Sequence, residues 1–376
     1  MNQRFPERRK TWRIAILLLL VLLSILAAVF YRLCFPGVSF LRTFQNPEVK
    51  ETPFVVTSLA IPAGERLIPA KLYRPSAGFA RAVLLVHGVH YRGYEEARLT
   101  RLARDLARRG TLVLTPEIED LKNFDIVPRA VDDIETSALF LLDNPVLGTV
   151  RLPHRPGLFG ISFAGGLGLV AAARPALNGR LGYVFSFGGH ADLERVMRYL
   201  ASGRLPVGST LPPHPYGQAV MLRQFADKFV SAGQVNELRR ALLLFLQDKT
   251  DDLKMLLPLL KPETRSLVKL FLDWKPDEIS EVLRPVLKNI SCHPALSPVK
   301  NPVPACPLFL LHGSVDNVIP ASETWALNRW AEGSTPTRAL ITELIYHVEL
   351  ENQPKERPRL KDTYKLVRFM TELLRL

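Results

Sequence analysis

Ser162, Asp316 and His347 have the residue types and settings of a nucleophile, an acid and a base. A serine hydroxyl attacks poorly near neutral pH unless a base takes its proton, and that base needs a carboxylate to orient it and to stabilise its charged form. Ser162 sits in Leu158-Phe159-Gly160-Ile161-Ser162-Phe163-Ala164-Gly165, where a strand-like apolar run reaches small residues and passes into the helix-like run Leu167 to Ala173. A serine on such a tight turn is pushed out above the sheet, and the strained backbone admits only small residues two before and two after it. Gly160 and Ala164 meet that demand, Ala164 standing where Gly is usual. The helix beginning at the serine turns its amides and the positive end of its dipole toward this point, favouring negative charge there. Asp316 follows the apolar run that ends Leu310-Leu311-His312-Gly313, and Val318-Ile319-Pro320 follows it; His347 closes Ile345-Tyr346-His347.

The elements that must position these residues are legible as apolar runs. Phe54 to Ala60 and Arg66 to Tyr73 read as a hairpin at one sheet edge. Arg81 to Val86, Leu112 to Thr115, Pro156 to Ser162, Leu181 to Phe187, Cys306 to Leu311 and Arg338 to Ile345 read as strands, the most apolar of them buried on both faces. Helical patterns at Glu95 to Arg109, Val131 to Leu142, Leu167 to Ala173, Ala321 to Ala331 and Lys361 to Leu374 alternate with them. That rhythm predicts an α/β fold with a mostly parallel sheet flanked by helices. It breaks over residues 190–303, a Leu- and Pro-rich stretch with helical runs at Leu193–Leu200, Ala219–Ser231, Val235–Gln247, Leu253–Leu260 and Thr264–Leu272. This stretch is expected to be a helical lid insertion or a helical domain with its own partner.

The chain resembles the serine α/β-hydrolases of the esterase, lipase and dienelactone-hydrolase-like kind. The features that carry the resemblance are Val86-His87-Gly88, Gly160-Ile161-Ser162-Phe163-Ala164, His312-Gly313-Ser314-Val315-Asp316 with Val318-Ile319-Pro320, and the late His347, in the chain order nucleophile, acid, base. They cover about Phe54 to Phe187 and Cys306 to Leu376 and are loose across the insertion. The resemblance implies Ser162 as nucleophile, His347 as base, Asp316 as its orienting acid, and the backbone N–H groups of Phe163 and Val89 as oxyanion donors. It implies hydrolysis of a carboxylic ester or related acyl compound through an acyl-enzyme, with no cofactor and no metal. The same residues would serve an acyltransferase, and a catalytically silent binding module on this fold is the rival of a different class. An intact triad argues against the latter.

Other polar residues have simpler readings. His87 and His312 are expected to brace loops. His90, His190 and His214 either line a substrate pocket or lie at the surface. Asp192 is the second candidate acid, but it also suits the N-cap of the helix at Leu193. Asp132 and Asp133, neighbours on a helix, point about 100° apart and do not form a dyad.

The net charge of +13 raises nucleic acid and membrane surfaces as partners. Residues 1–13 carry a net +4, the rest is spread without a dense Lys/Arg run, and no basic-aromatic patch occurs, so a solvated cationic surface is expected. Ile14 to Tyr31 is free of charge, flanked by Arg13 and Arg32, with Trp12 and Tyr31 at its ends. That is long enough to span a bilayer. No small-x-small cleavage site follows it, so an uncleaved anchor is expected rather than a signal peptide. The positive amino terminus predicts a cytoplasmic tail and an exported catalytic domain; a cytoplasm-facing domain or secretion after cleavage are the alternatives. The expected organisation is tail 1–13, anchor 14–31, tether 32–53, core 54–189, helical insertion 190–303 and core 304–376. The three cysteines have no metal-ligand spacing; Cys292 and Cys306 read as separate buried thiols, or as a clip in an oxidising compartment.

Overall fold

The apolar runs form strands β1 (Phe54–Ala63), β2 (Arg66–Pro75), β3 (Arg81–Val86), β4 (Thr111–Pro116), β5 (Gly157–Ile161), β6 (Tyr183–Phe187), β7 (Leu308–Gly313) and β8 (Thr337–Thr342). The structure is a computed structural model, and it describes residues 6–45, 53–143, 152–206, 208–345 and 360–376. The strands make one sheet in the order β1-β2-β4-β3-β5-β6-β7-β8. β2 runs antiparallel to β1 and β4; the other pairs are parallel. This is the sheet of the α/β-hydrolase fold. β4 and β7 are buried at every position, as expected of strands covered on both faces. β1 is the exposed edge.

Helix α1 (Pro6–Gln45) precedes the sheet, and α2 (Ala97–Arg108), α3 (Glu119–Lys122), α4 (Pro128–Asp143) and α5 (Phe163–Ala173) lie within its first half. α2 buries the stripe Leu99, Ala103, Leu106. α5 is buried all round, which its small apolar composition allows. Between β6 and β7 come α6 (Leu193–Ser202), α7 (Pro215–Gln224), α8 (Val235–Leu246), α9 (Thr250–Leu256), α10 (Pro262–Leu272) and α11 (Pro276–Leu283). α11 is not among the expected helices; it is short, and its signal is Pro276 at the first helical position. α12 (Ser322–Ala331) and α13 (Leu360–Leu373) follow β7 and β8.

The chain divides into two compact units, Met1–Val49 with Arg359–Leu376, and Lys50–Pro358. The closing helix, expected with the core at 304–376, therefore groups with α1. In this smaller unit Ile16–Leu41 is apolar enough and long enough to cross a membrane. The side chains from Ile16 to Tyr31 are exposed, whereas Cys34 and Phe40 are buried. The Gly37 N–H donates to Thr371 Oγ1 at 3.0 Å, so the helix beyond the charge-free span is packed by α13. The tether expected at 32–53 is thus helical over 32–45, and residues 46–52 lie outside the described residues. Pro36 removes an i→i−4 bond, yet the helix continues through it to Gln45, and the next residue, Gly37, is the one bonded to α13.

Candidate active site

In open α/β sheets ligands bind beyond the carboxyl ends of the strands, where the strand order reverses. Here that point lies between β3 and β5, adjacent in the sheet with β4 on the far side of β3. Ser162 follows β5 with φ 55° and ψ −131°. A non-glycine residue in such a conformation typically costs about 1–3 kcal/mol and persists only when its surroundings fix it. They do: the Ser162 N–H donates to Phe187 O at 2.7 Å, and Ser162 O accepts from the Gly165 N–H at 2.8 Å. A β-carbon on Gly160 would lie 2.2 Å from Ala164 O, so the turn closes only on glycine. Phe163 is the first residue of α5, where the amide has no partner within the helix.

The loop after β3 passes beside the serine. A β-carbon on Gly88 would stand 3.1 Å from Ser162 Cβ. His87 is buried, and its Nε2 accepts from the Ile118 N–H at 3.0 Å. Its proton therefore sits on Nδ1 and is donated to Gly88 O at 2.7 Å. The Gly88 carbonyl and the Val89 N–H belong to one planar trans peptide and point in opposite directions. His87 thus fixes where the Val89 N–H points. Burial pushes the His87 pKa down to about 4, which keeps the ring neutral.

Asp316 lies beyond β7 and is buried. Its Oδ1 accepts from the Val318 and Ile319 N–H groups, each at 2.9 Å, which offsets the cost of burying the carboxylate. His312 Nε2 donates to Ile319 O at 2.7 Å and lies 3.4 Å from Asp316 Oδ2, while its Nδ1 meets Thr324 Oγ1 at 2.7 Å. The turn after β6 stands between serine and acid: Phe187 O holds Ser162, the Gly188 N–H donates to Leu311 O at 2.8 Å, and a β-carbon on Gly188 would lie 3.7 Å from Asp316 Oδ2. Ser162, Val89, Phe163 and Asp316 are thus brought to one sheet edge. His347 lies outside the described residues.

The remaining candidates have structural partners. Asp192 caps α6 through bonds to the Glu194 and Arg195 N–H groups at 3.0 and 3.4 Å. Asp133 is buried against Arg66 while Asp132 is exposed beside Arg174, so the two carboxylates do point apart. His190 is buried and bonds to Leu296 O at 2.7 Å. His214 caps α7 through the Tyr216 N–H, and His90 stacks on Tyr91. Cys292 and Cys306 are separate thiols, each pushed up to about 12 by burial.

Sequence reasoning missed the residues that join the β6–β7 connection to these loops. Glu323 on α12 accepts from the Ala191 and Asp192 N–H groups at 2.9 and 3.0 Å and pairs with Arg195 at 2.6 Å. The Tyr199 hydroxyl and the His214 N–H both donate to Asn317 O, at 3.1 and 2.9 Å, next to Asp316. At the far end of α7, Arg223 donates to Asn123 O and Asp125 Oδ2, and Gln224 exchanges two bonds with Ile126. Each contact spans about a hundred residues of chain or more, a separation at which local patterning carries no signal.

No protein-family model and no curated protein matches the chain. Among solved structures it is similar to an esterase of Pyrobaculum calidifontis, with 15% identity over 90% of this chain and 91% of that one and a TM-score of 0.49. It is also similar to an acylaminoacyl peptidase of Pyrococcus horikoshii, with 13% identity over 88% of this chain and 41% of that one and a TM-score of 0.48. A third is a thermostable esterase of Pseudomonas putida, with 14% identity over 90% and 83% and a TM-score of 0.46.

Proposed function

We propose that this chain is a membrane-anchored serine hydrolase that cleaves a carboxylic ester or related acyl compound. Ser162 Oγ attacks the acyl carbon while His347 takes its proton. The leaving alcohol then departs with that proton, and His347 next activates the water that releases the acid from Ser162. Asp316 holds the imidazole and stabilises its charged form. The Val89 and Phe163 N–H groups receive the oxyanion, each worth about 3 kcal/mol in the transition state. The observation that carries this reading is the strained Ser162, held at φ 55° beside the Gly88–Val89 peptide. Strain of that kind at a sheet's ligand-binding edge has no capping explanation, since Ser162 makes no side-chain cap for α5.

The apolar span from Ile14 anchors the protein, with the basic amino terminus in the cytoplasm and the catalytic domain exported. The test is fluorophosphonate labelling and nitrophenyl ester turnover on the full chain in detergent. Labelling should map to Ser162, and Ser162→Ala should lower turnover by about 10⁶-fold. A folded Ser162→Ala protein that still turns over near the wild-type rate excludes the assignment. Recovery of the protein in the soluble fraction after carbonate washing, with its first residues removed, excludes the anchor.

A further inference from the structure

We propose that Tyr216, in the first turn of α7, is a positioning residue for the oxyanion donor Val89, so that the β6–β7 connection completes the site instead of merely covering it. The inference rests on the hydrolase reading above. The Tyr216 hydroxyl donates to Val89 O at 2.7 Å. His87 already holds Gly88 O. Both peptide planes that flank the Val89 α-carbon are therefore pinned, one by a core histidine and one by a tyrosine 127 residues further along the chain. Connecting loops are ordinarily among the more mobile parts of a fold. An oxyanion donor is useful only if it is already aimed when charge develops, and two clamps on one loop residue supply that.

Tyr216 is itself held. Its N–H donates to His214 Nδ1 at 3.2 Å, and its ring packs edge-on against the fully buried Phe124 at 5.9 Å. A β-carbon on the next residue, Gly217, would lie 2.7 Å from Leu200 Cδ2, so α7 sits close against α6. Burial raises the Tyr216 pKa, and the hydroxyl remains a donor across the working pH range. The same turn reaches the acid loop, through the His214 N–H to Asn317 O. One helical turn thus touches the donor loop on one side and the acid loop on the other. A phenylalanine would fill the same space against Phe124. What the hydroxyl adds is the bond to Val89.

The test is Tyr216→Phe, assayed on an oxygen ester and on the matching thionoester. Sulfur accepts N–H hydrogen bonds poorly, so the thionoester draws little on the oxyanion donors. The variant should lose about 10- to 100-fold in kcat on the oxygen ester with KM nearly unchanged, and the oxygen-to-thiono rate ratio should fall by a similar factor. Placing 4-aminophenylalanine at position 216, which restores a donor, should recover most of that loss. A folded Tyr216→Phe protein with wild-type kcat, or with equal losses on both esters, overturns the proposal. Fluorophosphonate labelling separates the two readings. If the wild-type protein does not label, the hydrolase reading fails and this one falls with it. If it labels and Tyr216→Phe turns over unchanged, only the positioning role fails.

Discussion

The connection between β6 and β7 has two layers that are held in different ways. The inner layer, α6 and α7, is buried along most of its length and bonds to the core through Arg195, Tyr199, Tyr216, Arg223 and Gln224. The outer layer, α8 to α11, buries one face of each helix and leaves Met255, Leu259 and Trp274 at 70%, 79% and 53% exposure. Its polar bonds run within the connection, such as Gln234 to Thr264 and Gln218 to Ser280. Directional bonds fix geometry, whereas apolar contact fixes only proximity. On the proposed function, the inner layer aligns the Val89 and Asp316 loops, whereas the bonds of the outer layer stay within the connection. If that is right, the same kind of substitution should have large effects inside and small ones outside.

The largest effect is expected at the core edge that the inner layer braces. Asp316→Asn should lower turnover by about 10⁴-fold through loss of the imidazole's orientation and charge partner. Asp192→Asn should keep most activity, because Asn caps a helix about as well as Asp. Turnover of both variants, with folding followed by circular dichroism, decides between them. The reverse ranking would move the acid to the start of α6 and give the inner layer a chemical role.

Next in size is a stability effect beneath α7. Phe124 has φ 63° and is fully buried against Tyr216. It occupies the position after the end of α3 where a glycine usually allows a left-handed cap: its N–H reaches Leu121 O at 3.2 Å, and the Asp125 N–H reaches Asp120 O at 2.8 Å. Phe124→Gly relieves about 1 kcal/mol of left-handed strain but deletes a buried ring, a loss of about 3–5 kcal/mol. The net should be about 3 kcal/mol of destabilisation in urea. An unchanged midpoint would mean that the inner layer does not depend on this contact.

These contrasts divide what the sequence reveals from what it hides. The strands and most helices are legible because apolar runs and helical periodicity are local, and Ser162 is legible because its turn demands small neighbours that are adjacent in sequence. Asp192 as a cap and Asp132 and Asp133 as non-partners also follow from local geometry, and the structure has them so. Pro36 inside α1 and the grouping of α13 with α1 are not legible, since packing between distant segments overrides local preference there. The same holds for Tyr216, whose partner is chosen by topology. His347 rests on its sequence context after β8.

A smaller effect tests the core-side clamp on the Val89 loop. Burial lowers the His87 pKa from 6.5 to about 4. Between those values the unfolded chain binds more protons than the folded one, so stability is full above pH 6.5 and falls as pH drops toward about 4. The loss from this group amounts to no more than about 3 kcal/mol. Burial lowers His190 in the same direction. His87→Gln should be less stable at pH 7 and show a flatter midpoint between pH 6.5 and 4 than wild type. Parallel curves for the two proteins would mean that His87 is not held neutral as described.

The smallest effect repeats the glycine substitution in the outer layer, where its sign should reverse. Asp248 has φ 57° and is exposed. It takes the same position after α8 that Phe124 takes after α3: its N–H reaches Phe245 O at 3.1 Å, and the Lys249 N–H reaches Leu244 O at 3.0 Å. Here no buried ring is lost. Aspartate tolerates the left-handed region better than most residues, so the strain relieved is modest. Glycine also widens the unfolded ensemble, which cancels part of the gain. Asp248→Gly should therefore stabilise by about 0.5 kcal/mol, the margin left between those two terms. Urea midpoints for Phe124→Gly and Asp248→Gly, measured side by side, carry the comparison. Equal losses at the two sites would mean that the outer layer is as tightly specified as the inner one.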